Sequence, residues 1–405
     1  MKTLCASLLL AALWSAASLT AADKFTITVS HDLDTPRPAE TITLPWTAVQ
    51  KAIPGALLQK IAVKDATGQV LPYQVTNIDP EAKDPQGKGV AYGELIFQHD
   101  FAAGEKSATF TIEKTNTISP VFPAKVFARF VPERLDDFAW ENDRIAHRTY
   151  GPTLAEPAPA GSNKEVLVTS GLDVWCKAVD YLVVDRWYNK GHDHYHKDEG
   201  EGMDMYQVGK SRGCGGTGVW DGKKLYTSRN YKTWKVIANG PIRAIFELTY
   251  EPWDANGVKV AEVKRFTVDA GHNLDQIDST FTFDGAKEIV VAIGLIKDSA
   301  DKGQDPKIEV GQNKAEGSLT QWCVQKTNGS LGTAIVLPGS TLEGFAEDSL
   351  NQLALTKATS GVPVRYYVGA GWTRSGQFPT KESWDAYVTD AAKRANAPIR
   401  VKVDE

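Results

Sequence analysis

Apolar and polar residues alternate with a period of two along most of this chain. Between Lys24 and about Lys114 the alternating stretches are short: Phe25 to Val29, Glu94 to Gln98 and Ala108 to Ile112, with turn clusters such as Asp65-Ala66-Thr67-Gly68 between them. Residues two apart in a strand share a face, so such alternation predicts half-buried strands. This first region, residues 23–115, predicts a small N-terminal β-sandwich. Trp46 to Leu58 predicts one helical turn at its edge. After Thr115-Asn116-Thr117 the strands resume: Lys125 to Phe130, Ile237 to Tyr250, Ala261 to Val268, Gln276 to Phe283, Glu288 to Ile296 and Val364 to Trp372. A long antiparallel series with one apolar face needs a second sheet to cover it, which predicts a large twisted antiparallel β-sandwich over residues 116–405. One convincing helix, Lys381 to Ala395, closes the chain. Thr380 can cap it, and Trp384, Tyr387, Val388, Ala391 and Ala392 form one apolar stripe. The expected class is all-β. No helix–strand alternation, no G-x-G-x-x-G after a strand and no P-loop is present, which excludes the nucleotide-binding α/β folds.

The chain opens with Met1-Lys2, an apolar run from Leu4 to Leu13 and a small-residue exit at Ala21-Ala22. That pattern predicts a secretory signal peptide over residues 1–22, hence an exported protein, periplasmic or secreted. No later stretch reaches the length of about 20 apolar residues that a membrane span needs, so no membrane insertion is expected. A net charge of −5 with both signs interspersed and no basic cluster argues against nucleic acid as a partner. The oligomeric state leaves no mark in the sequence. Past the leader the cysteines are Cys176, Cys214 and Cys323, an odd count without zinc-finger spacing. Eleven tryptophans are many, and Trp140, Trp187, Trp220 and Trp372 lie in polar, glycine-rich surroundings. Exposed aromatic faces suit the C–H faces of sugar rings, although tryptophan is ordinarily buried.

Two polar segments carry candidate chemistry. In the first, from Tyr188 to Trp220, His192, His194 and His196 recur at every second position, followed by or interleaved with Asp193, Asp198, Glu199, Glu201 and Asp204. An extended backbone would set the three imidazoles on one face, roughly 7 Å apart. Three readings follow: a divalent metal held by His192, His194 and His196 with a carboxylate, general acid–base chemistry, or a solvated loop. Spacing does not separate the first two. In the second segment, Asp136, Asp137, Trp140, Glu141, Asn142 and Asp143 precede His147-Arg148 and Tyr150. If Ile145 to Tyr150 is a strand, His147 and Arg148 face opposite sides, which leaves His147 outside a shared site.

Pro132 to Asp143 with His147 to Pro152, the run Tyr195 to Gly209 with Gly213-Cys214-Gly215-Gly216, and the closing Tyr367-Val368-Gly369-Ala370-Gly371-Trp372 together resemble the DUF4861 family of secreted bacterial proteins, a domain of unknown function. The resemblance covers nearly all of the chain past the leader. It implies a galactose-mutarotase-like β-supersandwich and a place in polysaccharide degradation. It also implies a carbon–oxygen lyase or dehydratase activity on uronic-acid-containing oligosaccharides such as ulvan fragments, with a 4,5-unsaturated uronyl product. The substrate would be an acidic oligosaccharide. No cofactor is implied beyond a divalent metal as an open option.

Elimination across C4–C5 of a uronate sets the expected roles. A base takes the C5 proton, an acid protonates the departing oxygen, and a third group neutralises the carboxylate. His194 and His196 are the expected proton-transfer residues or ligands, with Tyr150 or Tyr206 as the acid. Arg148 or Arg134 would hold the carboxylate. Glu141, Asn142, Asp143, Glu201 and Asp204 would bind hydroxyls or orient the histidines, and Trp140 would stack on the sugar. Two rivals remain: a glycoside hydrolase using Asp137, Glu141, Asp143 or Glu201, and a non-catalytic glycan-binding protein using Trp140, Trp187 and Trp220. Either enzyme reading needs the two segments to meet in one groove.

Overall fold

A computed structural model describes residues 22–78, 92–300 and 303–404; the expected leader, apart from Ala22, lies outside them. The chain builds two β-sandwiches with separate cores. In the smaller, Lys24–Ser30 lies between Ser107–Lys114 and Arg400–Val403, and Ile61–Lys64 and Val70–Leu71 extend the sheet. A three-stranded sheet of Arg37–Pro45, Glu94–Phe101 and Tyr73–Thr76 packs on it. Alternation places Ile27, Val29, Ile42, Leu44, Phe97, Phe110 and Ile112 between the sheets. The helical turn expected after Trp46 is Trp46–Ala52, which buries Trp46 and Val49. Because the last strand of the chain pairs with the first, the boundary at 115/116 separates two cores but not two closed stretches of chain.

The larger sandwich has an eight-stranded antiparallel sheet running Thr233–Ala238, Arg243–Ala255, Val258–Asp269, Leu274–Phe283, Pro363–Trp372, Ser330–Val336, Ser318–Val324 and Lys307–Asn313. Two five-stranded sheets face it. One is Leu225–Tyr226, Cys214–Trp220, Ile289–Ile296, Asn351–Ala358 and Leu342–Glu347. The other is Gly202–Met203, Leu172–Lys177, Ile145–Thr149, Asp137–Glu141 and Phe127–Val131. A bridge between Leu172 and Gly213 joins them into one layer. Phe138, Trp140, Val174, Phe246, Phe266, Ile277, Ile293 and Val368 fill the space between the layers. The all-β supersandwich is therefore the architecture. The stretch Ile237 to Tyr250 is not one strand: Asn239-Gly240-Pro241 turns the chain between Thr233–Ala238 and Arg243–Ala255, since proline cannot donate to a ladder.

The C-terminal helix is Lys381–Asn396, and Thr380 and Ser383 form a reciprocal capping box at its start. Trp384, Val388 and Ala392 are buried against Trp322, Ala334, Val336 and Phe378. Gly332 permits this approach, because a Cβ there would sit 2.5 Å from the Trp384 ring. Of the four tryptophans picked out for polar surroundings, Trp140, Trp187 and Trp372 follow the ordinary rule and are buried, while Trp220 is half-buried.

Candidate active site

The sheet that ends at Phe127–Val131 carries the site, because its two faces differ. Phe138, Trp140, His147 and Val174 point into the main core. On the outer face Arg148 stands opposite Ala139 on one neighbour and Asp173 on the other. Two short helices, Val184–Lys190 and His192–Tyr195, cover that face, and Val184, Trp187, Tyr188 and Tyr195 pack on Val131, Ala139, Ala146 and Trp175. Arg148 is thus enclosed between sheet and helices, a position an arginine keeps only when paired.

Its partners come from both polar segments. Nε donates to Asp173 Oδ2 at 2.7 Å and Nη2 to Asp204 Oδ2 at 2.8 Å, while Nη1 lies 3.6 Å from Asp137 Oδ2 and 3.4 Å from the Tyr195 hydroxyl. The guanidinium also lies over the rings of Tyr150, Trp175 and Tyr195. Burial opposes its charge, and the Asp173 and Asp204 carboxylates outweigh burial and hold it protonated. Tyr150 donates to Asp173 Oδ2 at 3.1 Å, and Tyr188 to Asp137 Oδ2 at 3.3 Å. Burial, then Asp173, pushes the Tyr150 hydroxyl well above its ordinary range, so it keeps its proton until one is demanded.

At the edge of the cluster, His196 Nδ1 donates to the Asp204 carbonyl at 3.1 Å, and its side chain is about a third exposed. That bond leaves Nε2 with its lone pair. Burial lowers the His196 pKa against the opposing backbone bond, so the ring is neutral near pH 7. Asp137 is fully buried. Burial raises its pKa to about 6 against the pull of Arg148 and Arg134. Asp137 Oδ1 and Arg134 Nη1 are both buried with no hydrogen-bond partner among the described residues, an uncommon condition for polar atoms in a protein interior.

Several expected residues fall elsewhere. The histidine segment is not extended. Gly191, at φ 94°, stops the helix Val184–Lys190, and His192–Tyr195 forms a further helical turn, for which this stretch without β-branched residues is better suited. His192 and His196 therefore lie one turn apart, with tilted rings whose centroids are 4.5 Å from each other, while His194 turns to Glu199 at 2.9 Å. Among the described residues no group of three His, Cys, Asp or Glu side chains is placed to hold a metal ion, and the three imidazoles of the triplet do not converge on one point. Trp140 is no sugar platform: it is buried, stacks on His147 and donates Nε1–H to Asp275 at 2.8 Å. Glu141 is buried against Lys177 and accepts the N–H groups of Val183 and Val184, which anchors the covering helix. Asn142 binds the Asp269 and His272 carbonyls, and Asp143 accepts from Gly271 N. Glu201 takes Tyr181, Arg186 and Trp187 at the outer rim. Tyr206 is buried, and burial raises its hydroxyl well above the ordinary pKa range. Arg134 sits at the rim on Glu165 at 2.8 Å.

Brought together, then, are Arg148, Tyr150, Asp204, His196 and Arg134, with Asp137 beside them. Sequence reasoning missed Asp173, Trp175, Tyr188 and Tyr195. One signal was legible: Asp173, Trp175 and Lys177 alternate with Leu172, Val174 and Cys176, so that strand had a second, partly charged buried face.

Fold and site define a β-supersandwich protein with a buried arginine–carboxylate–tyrosine cluster under a helical cover. The chain belongs to the family described as "Domain of unknown function (DUF4861)", whose model matches residues 29–401. A relative from Formosa agariphila, "Uncharacterized protein P7", is 32% identical over 391 residues, 93% of each chain. Among solved structures, an alpha-mannosidase from Enterococcus faecalis V583 superposes with a TM-score of 0.49 at 10% identity, over 95% of this chain and 46% of that one. A glycosyl hydrolase family 38 protein from Enterococcus faecalis has the same TM-score and identity, over 95% and 48%. This chain thus spans about half the length of those structures, and a likeness of that grade carries no argument about chemistry.

Proposed function

We propose that this protein is a glycan-active enzyme, a carbon–oxygen lyase or dehydratase acting on uronate-containing oligosaccharides. The observation that carries the reading is a matched pair of proton-transfer groups on one buried network: a neutral His196 with a free Nε2, and a Tyr150 that holds its proton. Environments that push two titratable groups toward opposite tasks define an acid and a base. In the proposed step His196 Nε2 takes the C5 proton, the C5–H electron pair becomes the C4=C5 double bond, and the C4–O bond breaks. The departing oxygen takes the Tyr150 proton. Solvent returns that proton to Tyr150 and removes the one on His196.

Arg148 is not the carboxylate holder in this scheme, because Asp173 and Asp204 already occupy its fork. It fixes the acid and, through Asp204, the base. The uronate carboxylate is assigned instead to Arg134 Nη1 and to Asp137 in its protonated form, a pair that neutralises charge where it would otherwise oppose loss of the C5 proton. The hydrolase alternative keeps one supporting feature, the raised Asp137 carboxyl. Its other candidates, Glu141, Asp143 and Glu201, are engaged in structural bonds. The test is incubation with a panel of uronate and neutral oligosaccharides, with and without chelator, read by ultraviolet absorbance and product mass. A new double bond from uronates alone supports the proposal; products that have gained water, with no double bond, would replace it with hydrolysis.

A further inference from the structure

A polar cleft lies on the opposite side of the large sandwich from the Arg148 cluster. It has a volume of about 470 Å³ and is walled by Arg37–Pro45 of the small sandwich, the C-terminal helix and the outer face of the eight-stranded sheet. Its floor follows from strand register. Thr267, Gln276 and Tyr367 stand side by side on three neighbouring strands, while Phe266, Ile277 and Tyr366 between them point into the core. The active-site cluster is on the outer face of the other layer, so the two places are separated by the whole thickness of the sandwich.

Three arginines in this cleft are held as flat forks. Arg37 is paired with Glu40, Arg243 with Asp269 and Arg365 with Asp278, each through two nitrogens. Arg37 is itself buried and braces the wall, whereas the partly exposed Arg243 and Arg365 forks offer donors and acceptors to sugar hydroxyls at little ordering cost. The fourth, Arg394 on the C-terminal helix, donates from Nη1 to the Pro38 carbonyl at 3.2 Å and has no carboxylate partner among the described residues. It lies close enough to His272 and Tyr387 for its charge to act on both. Tyr367 and Tyr387 line the same walls, and aromatic faces suit sugar rings. Backbone geometry is also specialised there: a bulge between Arg37 and Glu40 holds Ala39 at φ 49°, and its carbonyl meets His272 Nε2 at 2.8 Å. A non-glycine residue in that region costs energy that the surroundings must offset.

We infer that this cleft is a second, non-catalytic binding site for an acidic oligosaccharide, with Arg394 receiving a carboxylate or sulfate and the forks and tyrosines holding the rings. The ligand class rests on the proposed function; the location and the binding residues do not. Such a site would keep the enzyme on an acidic polymer while the other face works on chain ends or fragments.

The test is affinity electrophoresis of the purified protein through gels containing a polyuronate, a sulfated neutral polysaccharide or an uncharged one. The wild type and a His196→Ala variant are expected to be retarded in acidic gels alone, and the polyuronate and sulfated gels tell carboxylate from sulfate recognition. Arg394→Gln and, separately, Arg365→Gln are expected to weaken binding about tenfold or more, with Arg394→Lys retaining much of it and melting curves confirming the fold. Turnover of short oligosaccharides is expected to be unchanged in Arg394→Gln. Retardation of the arginine variants equal to wild type, or no retardation of the wild type in any acidic gel, would overturn the inference. Retention in the gel without any double-bond formation by the wild type would remove the proposed function and leave this site standing.

Discussion

Arg148 Nη2 lies 2.8 Å from Asp204 Oδ2, a contact between residues 56 positions apart that ties the two polar segments of this chain together. Both partners are buried, so the contact is also a liability: either charge left alone would be uncompensated. Replacing Arg148 with methionine strands Asp173 and Asp204 and is expected to cost about 3–5 kcal/mol of stability. Asp204→Asn keeps the shape and is expected to cost less while still abolishing most turnover. Denaturant unfolding beside steady-state rates checks both.

Tyr150 makes one hydrogen bond to Asp173, and its hydroxyl is the proposed proton donor. Tyr150→Phe is expected to lose about 1 kcal/mol of stability but about 100-fold or more in rate. The imbalance between those two losses, measured on one preparation, separates a catalytic hydroxyl from a structural one.

Activity should depend on pH in a particular way. His196 must be neutral to accept a proton, and its pKa lies below 6.5, so the acid limb falls below that value. Asp137 must be protonated to face a carboxylate, and its pKa is about 6, so rates are expected to fall as pH rises through that region. Asp137→Asn removes the alkaline limb if this assignment holds. A pH–rate profile of the variant with an unaltered alkaline fall would contradict it.

The core between the site's sheet and the eight-stranded sheet carries a separate pH effect, with Trp140 and His147 on one side and Asp275 on the other. Burial raises the Asp275 carboxyl to about 7 from 3.8, and Trp140 Nε1–H opposes the shift. Its contribution to stability is complete below 3.8 and is lost as pH rises through about 7. Burial lowers His147 to about 4, so its contribution is complete above 6.5 and is lost as pH falls through about 4. Asp275→Asn, which can still accept from Trp140, is expected to lose less melting temperature than wild type between about pH 5 and pH 8. Melting curves at both pH values check it. Trp140→Phe is expected to lower stability and leave glycan affinity unchanged, since Trp140 touches Phe246 and Phe266 and no groove.

Period-two alternation was enough to read the sandwich class, and a capping threonine with a helical apolar stripe was enough to read the C-terminal helix, because each follows from local spacing. The pairing of Arg400–Val403 with Lys24–Ser30 was not legible, since nothing local marks a contact of that range. Within the site, strand alternation correctly divided His147 from Arg148. The histidine triplet misled, because its even spacing signals a shared face only in a strand and the chain there is helical. Glu141, Asn142 and Asp143 looked like ligands for hydroxyls and proved to be fasteners of loops and helices. A charged residue that satisfies buried backbone groups has the same sequence appearance as one that meets a substrate, and only the packing around it tells them apart.

His196 and Tyr150 are proposed to act together on a uronate. The most direct measurement is the rate of double-bond formation by wild type, His196→Ala, Tyr150→Phe and the double variant on one uronate oligosaccharide. Each single change is expected to lower the rate about 100-fold or more, and the double variant is expected to be little slower than the slower single one, as for residues working as a unit. Wild-type rates in either single variant, or losses that simply multiply in the double one, would contradict it.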